Sequence, residues 1–144
     1  MATIEREATV NASADQIWGG LISDPNSWPS WLGPLEGLEE KVSPPVAGGM
    51  KFGAKIGNMS GKIRILEAEK GRRIRWRAGP GPLVAMGMGM GITIDFSGSG
   101  DSTKVNLTAK STPMMGGMIK AMTGIDPEEA MTNTVNSIKQ LSEQ

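Results

Sequence analysis

Alternating apolar and polar positions dominate the first three quarters of the chain and predict β-strands. Residues 2–10 alternate in this way, and further candidate strands lie at 38–43, 50–57, 61–69, 72–78, 84–97 and 103–111. Short separators rich in Gly, Pro, Asn and Ser connect the later candidates, and connections of this length favour an antiparallel meander. Within the strands one parity is apolar and the other is charged. The pattern therefore predicts a sheet with one buried face and one solvated face.

Helical signals flank this run of strands. Ser13 and Gln16 form a capping-box signature ahead of apolar residues at helical spacing, and a short helical turn is expected around Trp28 and Trp31, between Pro breakers. Near the other end, Asp126 followed by Pro and two acids is a strong helix start. Apolar residues then trace one helical face to the end of the chain. A turn or short helix weakened by glycine is expected at 114–122.

Composition excludes several kinds of site. The 144 residues include no Cys, His or Tyr, which excludes disulfides, thiolate or imidazole metal sites and a histidine general base. Fifteen Lys/Arg balance fifteen Asp/Glu, so no net charge attracts nucleic acid. The length favours one domain, residues 1–144. The start is charged, and no segment has the length and apolarity of a membrane span. We therefore expect a cytoplasmic protein without stable membrane insertion.

Positive charge concentrates in the middle of the sequence. Residues 51–110 carry eleven Lys/Arg against four Asp/Glu, and the parity places the side chains of Lys62, Arg64, Arg73, Arg75 and Arg77 on the solvated face of the sheet. Aromatic residues that would stack on bases fall on the opposite face, so we expect no nucleic-acid partner. Arg6 breaks the alternation on the apolar side. It is either a snorkelling residue or an anchor for a polar ligand group.

The order of elements resembles the helix-grip fold of the START-like, Bet-v-allergen-like (SRPBCC) superfamily. Ser13 to Trp18, followed by Leu21, Asp24, Trp28 and Trp31, looks like the opening signature of its polyketide cyclase/dehydrase branch. The segments 48–52, 61–63 and 73–76 resemble the matching stretch of Hsp90-ATPase-activator-like members and of members similar to a small subunit of carbon monoxide dehydrogenase.

This resemblance implies an α+β fold with one helix held against a sheet. A curved antiparallel sheet of about seven strands would wrap around a long C-terminal helix, with two short helices after strand 1. The cavity between sheet and helix takes apolar molecules in such proteins. Fold resemblance alone does not assign a function, because the superfamily includes lipid and hormone carriers as well as cyclases.

The residues support such a cavity independently. From Met86 to Phe96 every second residue is apolar, and Gly occupies the alternate positions 87, 89 and 91. Consecutive inward methionines specify a rigid core poorly but adapt to varied apolar partners. Ordinary core filling and a Cu(I) site of thioethers remain alternatives. The predicted cavity-lining residues are Trp28, Trp31, Phe52, Ile63, Trp76, Met86, Met88, Met90, Ile92, Met118, Met122 and Met131.

Three functional hypotheses follow from the sequence. The first is a non-catalytic protein that binds a mostly apolar small molecule, such as a lipid, a quinone or a polyketide-like compound. The second is a cyclase or dehydratase that uses the same cavity through Arg6 or a hydroxyl such as that of Thr134. The third is a protein-interaction or maturation module, so a protein partner remains possible. No carboxylate pair or lysine has an evidently desolvated setting, so we expect no catalytic residue, cofactor or metal.

Overall fold

Seven antiparallel strands form one sheet in the part of the chain that the structure describes. The structure is a computed structural model and describes residues 2–33, 35–57, 59–87, 89–111 and 126–143. The strand order is β1-β7-β6-β5-β4-β3-β2, so β2 to β7 form a meander and β1 pairs with β7. The strands are β1 (Ala2–Val10), β2 (Leu35–Leu38), β3 (Lys51–Ile56), β4 (Met59–Glu69), β5 (Arg73–Gly79), β6 (Met90–Ser99) and β7 (Ser102–Ser111).

The helices lie where the sequence signals predict them, with one addition. Helix α1 (Ala14–Ile17) begins with the predicted Ser13–Gln16 capping box and continues as a π-helical turn, Trp18–Ile22. A 3₁₀ helix, Pro25–Ser30, follows. The unpredicted element is helix α2 (Gly81–Ala85). Helix α3 (Pro127–Ser142) is capped by Asp126, whose carboxylate accepts a hydrogen bond from the Glu128 backbone N–H. It packs chiefly against β1, and this arrangement confirms the α+β helix-grip fold.

The two faces of the sheet differ as the parity predicts. The side chains of Ile63, Ile65, Ile74, Trp76 and Leu107 are at most 1% exposed and belong to one core. The alternate positions of the same strands carry the Lys and Arg residues, most of them exposed. Burial of apolar area on one face is the dominant stabilising term and fixes the register of every strand, since a slip of one residue would expose the whole apolar set.

The strand predicted at 38–43 is wrong for most of its length. Strand β2 covers Leu35–Leu38, and residues 39–43 have no strand partner beyond the bond from Glu39 N to Gly53 O. Val42 is held instead by the Asn26 side chain, whose amide oxygen accepts from Val42 N at 3.0 Å and whose amide nitrogen donates to Val42 O. A polar loop side chain thus satisfies the backbone that a strand neighbour would otherwise satisfy.

The strand predicted at 84–97 is wrong in its first part. Residues 81–85 form helix α2, and β6 begins only at Met90. Gly87 ends the helix with φ +78°, and Gly89 has φ +110°. These glycines therefore supply left-handed turn conformations and do not thin the outer face of a strand. The predicted short helix at 114–122 lies outside the described residues.

Candidate functional site

An apolar cavity lies between the sheet and the first turns of α3. Its volume is about 60 Å³. The sheet contributes its floor, the segment before β2 one side, and α3 the roof. The lining residues are Leu32, Leu35, Ile56, Met59, Ile63, Trp76, Ala78, Gly79, Met90, Ile92, Pro127, Ala130 and Met131. Ile56, Met59, Ala78 and Pro127 are partly exposed, so they mark the mouth of the cavity.

Close approach of two strands shapes the floor near the mouth. Gly61 on β4 lies beside Gly79 on β5, and a Cβ atom at Gly61 would stand 2.7 Å from the Gly79 carbonyl oxygen. No side chain can occupy that position without moving the backbone of the neighbouring strand. The glycine pair therefore keeps the strands close at the point where the cavity opens.

Four aromatic side chains pack against the inner end of the cavity. The ring centroids of Trp28 and Trp76 lie 4.9 Å apart, those of Trp28 and Trp31 5.5 Å, and those of Trp31 and Trp76 6.2 Å. Phe52 adds an edge contact with Trp28 at 6.1 Å. These spacings are those of favourable tilted and T-shaped pairs. Trp76 alone of the four lines the cavity itself.

The π-helical turn anchors two of these tryptophans. Trp28 Nε1 donates to the carbonyl oxygen of Ile22 at 2.9 Å, and Trp31 Nε1 donates to that of Leu21 at 2.9 Å. Carbonyls in the last turn of a helix lack intrahelical partners, so indole donors satisfy them well. Thr134 holds the far side of this segment, because its hydroxyl oxygen accepts from Gly33 N at 3.1 Å. Helix α3 and the tryptophan segment are thereby fixed to each other.

The structure brings five of the predicted residues together around the cavity: Ile63, Trp76, Met90, Ile92 and Met131. Trp28, Trp31 and Phe52 are buried beside it in the core, at most 2% exposed, so the two tryptophans do not lie at its mouth. Met86 lies outside the cavity, with 72% of its side chain exposed, because it follows α2 on a turn and not in a strand. Met88, Met118 and Met122 lie outside the described residues.

Several lining residues escaped the sequence prediction because they come from connections between elements. Met59 was assigned to a turn, yet it shares the inward parity of Gly61 and Ile63, so the period of β4 extended by two residues would have found it. Leu32 and Leu35 flank the start of β2, where the residue pattern contains no strand signal. Pro127 and Ala130 reach the cavity only because α3 begins directly above it.

None of the thirteen lining residues has an ionisable side chain. Arg6 shares the α3-facing side of β1, but its guanidinium donates to Thr132 Oγ1 at 2.9 Å and to the Glu5 carbonyl oxygen. The Thr134 hydroxyl donates to the Ala130 carbonyl oxygen at 2.7 Å. Both groups suggested for catalysis are thus engaged outside the cavity lining. What the described lining offers a ligand is apolar contact and the single indole N–H of Trp76.

Acidic residues of β4 and β6 belong to the opposite face of the sheet. Asp95 Oδ1 accepts from Arg73 Nε at 2.5 Å, and Glu67 Oε1 lies 3.8 Å from the same guanidinium. The hydrogen bond with Asp95 raises the pKa of Arg73 above its usual value. Among the described residues, no three acidic side chains cluster in a way that could hold a metal ion. No described helix is both long and apolar enough to cross a bilayer.

Comparison with solved structures identifies the fold. The Aha1 dimer structure from Colwellia psychrerythraea superposes with a TM-score of 0.68 at 14% identity, covering 99% of this chain and 97% of that one. Protein CV1439 from Chromobacterium violaceum gives 0.68 at 18% identity, with 100% and 99% covered. DynU16, from the dynemicin biosynthetic locus, gives 0.67 at 18% identity, with 99% and 47% covered. At these identities the likeness concerns the fold alone.

Sequence comparison identifies the family. No curated protein matches the chain. The model of the family described as polyketide cyclase / dehydrase and lipid transport matches residues 1–143. This match and the helix-grip neighbours confirm the superfamily that the motifs suggest. The chain therefore belongs to the polyketide cyclase / dehydrase and lipid transport family.

Proposed function

We propose that the protein binds a mostly apolar small molecule, such as a lipid, a quinone or a polyketide-like compound, in the cavity between the sheet and α3. The observation that carries this proposal is the lining itself: thirteen residues that are apolar, glycine or proline, one of them with an indole and none with an ionisable group. A protein interior is normally filled to high density, so an apolar space between the two main layers is a site for a ligand.

The size of the cavity limits how a ligand enters. An engineered apolar cavity of about 150 Å³ holds benzene, whereas this cavity measures about 60 Å³. A ligand of benzene size or larger therefore requires side chains to move. Met59, Met90 and Met131 line the cavity, and unbranched thioether side chains change rotamer easily. Methionines on the sheet and on α3 thus give both walls the means to widen.

A catalytic role receives less support from the site. General acid or base catalysis needs a proton-transfer group within hydrogen-bond reach of the substrate. The described lining carries no such group, and Arg6 and Thr134 bond to other parts of the protein. The site therefore favours binding over acid–base chemistry.

Mass spectrometry of small molecules extracted from the purified protein tests the proposal. Ala130→Leu adds a larger apolar side chain to the cavity roof while keeping a good helix former. Asn136→Leu makes a comparable change at an exposed position of the same helix. We expect an apolar compound from wild type and from Asn136→Leu, and at least tenfold less from Ala130→Leu. Equal recovery from all three proteins would place the bound compound elsewhere and contradict the proposal.

A further inference from the structure

One buried polar atom beside the cavity has no partner among the described residues. Trp76 is 0% exposed, and its Nε1 is not within hydrogen-bond distance of any described acceptor. Buried side-chain donors are nearly always hydrogen-bonded in folded proteins, because an unpaired donor in an apolar setting is costly. An unpaired indole N–H at a ligand cavity is therefore a feature that the fold itself does not explain.

The neighbouring tryptophans show that the fold satisfies this kind of donor elsewhere. Trp28 and Trp31 are equally buried, and both donate to carbonyls of the π-helical turn. Trp76 belongs to the centre of the sheet, where the backbone carbonyls of β4 and β6 take part in the strand ladder. Its side chain is surrounded by Trp28, Trp31 and the cross-strand neighbours Ile65 and Ile92, none of which offers an acceptor.

The cavity is the remaining neighbour of the Trp76 side chain. Trp76 lines it together with Ile63, Ile92 and Met131. An acceptor that pairs with this N–H must therefore enter with a ligand. Because the other lining side chains of the described residues are apolar, the ligand is oriented by this one hydrogen bond.

We propose that the ligand of this cavity is an apolar molecule with an acceptor oxygen, of which a ketone or ester carbonyl is the simplest, and that this oxygen accepts a hydrogen bond from Trp76 Nε1. The inference rests on the proposed function and specifies its ligand class. The oxygen lies at the inner end of the cavity beside Trp76, and the hydrocarbon part extends towards the mouth at Met59 and Pro127. Trp76 is then the residue that distinguishes carbonyl compounds from plain hydrocarbons.

A matched pair of probes separates the hydrogen bond from apolar contact. Cyclohexanone and methylenecyclohexane have nearly the same shape and differ in carrying C=O or C=CH₂. Nitrogen-15 spectra of wild type contain the indole N–H signals of four tryptophans. We expect cyclohexanone to move the Trp76 Nε1–H proton signal downfield and methylenecyclohexane to leave it without such a shift. This measurement needs no variant.

Affinities of both probes for Trp76→Phe complete the test. Phe keeps an aromatic ring at this position but removes the N–H. We expect cyclohexanone to lose about threefold to tenfold more affinity than methylenecyclohexane, as the net contribution of one hydrogen bond requires. Trp18→Phe is the control, because Trp18 packs on Phe96 and does not line the cavity. It should change both affinities by the same factor.

The outcomes distinguish this inference from the proposal on which it rests. Binding of both probes with no downfield shift at Trp76, and equal losses in Trp76→Phe, would overturn the inference and leave the apolar site intact. The N–H would then rest against the Trp28 ring. Failure of both probes to bind would contradict the proposed function itself.

Discussion

At the scale of single residues, hydrogen-bond partners separate side chains that burial alone cannot. Trp28, Trp31 and Trp76 are all at most 1% exposed, yet only the first two have an acceptor for their indole N–H among the described residues. The same criterion separates Arg73 from Arg75 on the outer face of the sheet. Arg73 contacts Asp95 and Glu67, whereas Arg75 is exposed. Parity predicts the face of a residue, but only three-dimensional neighbours show its role.

The two arginines should therefore differ in their effect on stability. Arg75→Ser should change the free energy of unfolding by about 0.5 kcal/mol or less, as is typical of exposed positions. Arg73→Ser should destabilise the protein more, because it leaves the carboxylates of Asp95 and Glu67 without their shared cation. Thermal unfolding of the two variants checks this. A loss for Arg75→Ser that equals or exceeds the loss for Arg73→Ser would contradict the assigned contacts.

At the scale of elements, predictions succeed where a strand buries one face. Strands β1, β4, β5 and β7 lie within two residues of their predicted bounds, because alternating burial leaves a clear period of two. The prediction fails from 84 to 87, where the Gly-Met alternation imitates a strand but turn glycines and the prolines at 80 and 82 favour a helical turn. Cavity residues such as Leu35 and Pro127 could not be predicted, since their position depends on how distant elements pack.

Gly87 tests the corrected structure of the β5–β6 connection. A Cβ atom there would meet nothing within 4 Å, so only the left-handed backbone at φ +78° opposes a side chain. Gly87→Ala should lower the free energy of unfolding by about 1 kcal/mol. The matched control is Gly20→Ala in the π-helical turn, which also has open space at Cβ but no positive φ, and should leave stability unchanged or raise it. If this connection were an extended strand, Gly87→Ala would not be destabilising.

Helix α3 is tied to the end of β1 by a contact that depends on pH. Glu143 Oε2 accepts from Lys139 Nζ at 2.7 Å and from Asn11 N at 2.9 Å, and these bonds hold the pKa of Glu143 below its usual 4.5. The folded state therefore releases this proton more easily than the unfolded chain. The resulting stabilisation is present above pH 4.5 and is lost as pH falls through the lower pKa of the folded state.

Glu143→Gln should accordingly unfold at a lower temperature than wild type near neutral pH. The difference should shrink as pH falls below about 4, where the wild-type carboxylate becomes protonated in both states. Glu36→Gln, which removes an exposed carboxyl from β2, is the matched control. Thermal unfolding at several pH values provides the comparison. A melting-temperature difference for Glu143→Gln that does not change with pH would show that the charge does not support this contact.

At the scale of the whole molecule, the fold separates charge from the cavity. Polar and charged side chains occupy the outer face of the sheet, while the inner face, the tryptophan segment and α3 enclose a space without an ionisable lining group among the described residues. Such an arrangement binds by apolar contact, which is insensitive to protonation. It also explains how a chain with no histidine can keep a binding site that works across a range of pH.

Affinity for an uncharged ligand should therefore be nearly constant between about pH 6 and 8. Histidine is the one side chain whose unperturbed pKa falls in this range, and the chain contains none. Titration of wild type with methylenecyclohexane at several pH values measures this directly. A step in affinity that corresponds to one proton would reveal an ionisable group whose pKa is shifted by burial, and acid–base chemistry in the cavity would then have a candidate.

The most direct test of the central claim follows the methionines while an apolar molecule is added. Met59, Met90 and Met131 line the cavity, whereas Met86 is 72% exposed, so the chain contains its own control. With methyl-carbon-13 methionine, addition of benzene should shift the three cavity signals saturably with one common affinity. The Met86 signal should stay in place, and Ala130→Leu should abolish the shifts. If the cavity signals do not saturate, or if Met86 moves with them, the space between the sheet and α3 is not a binding site.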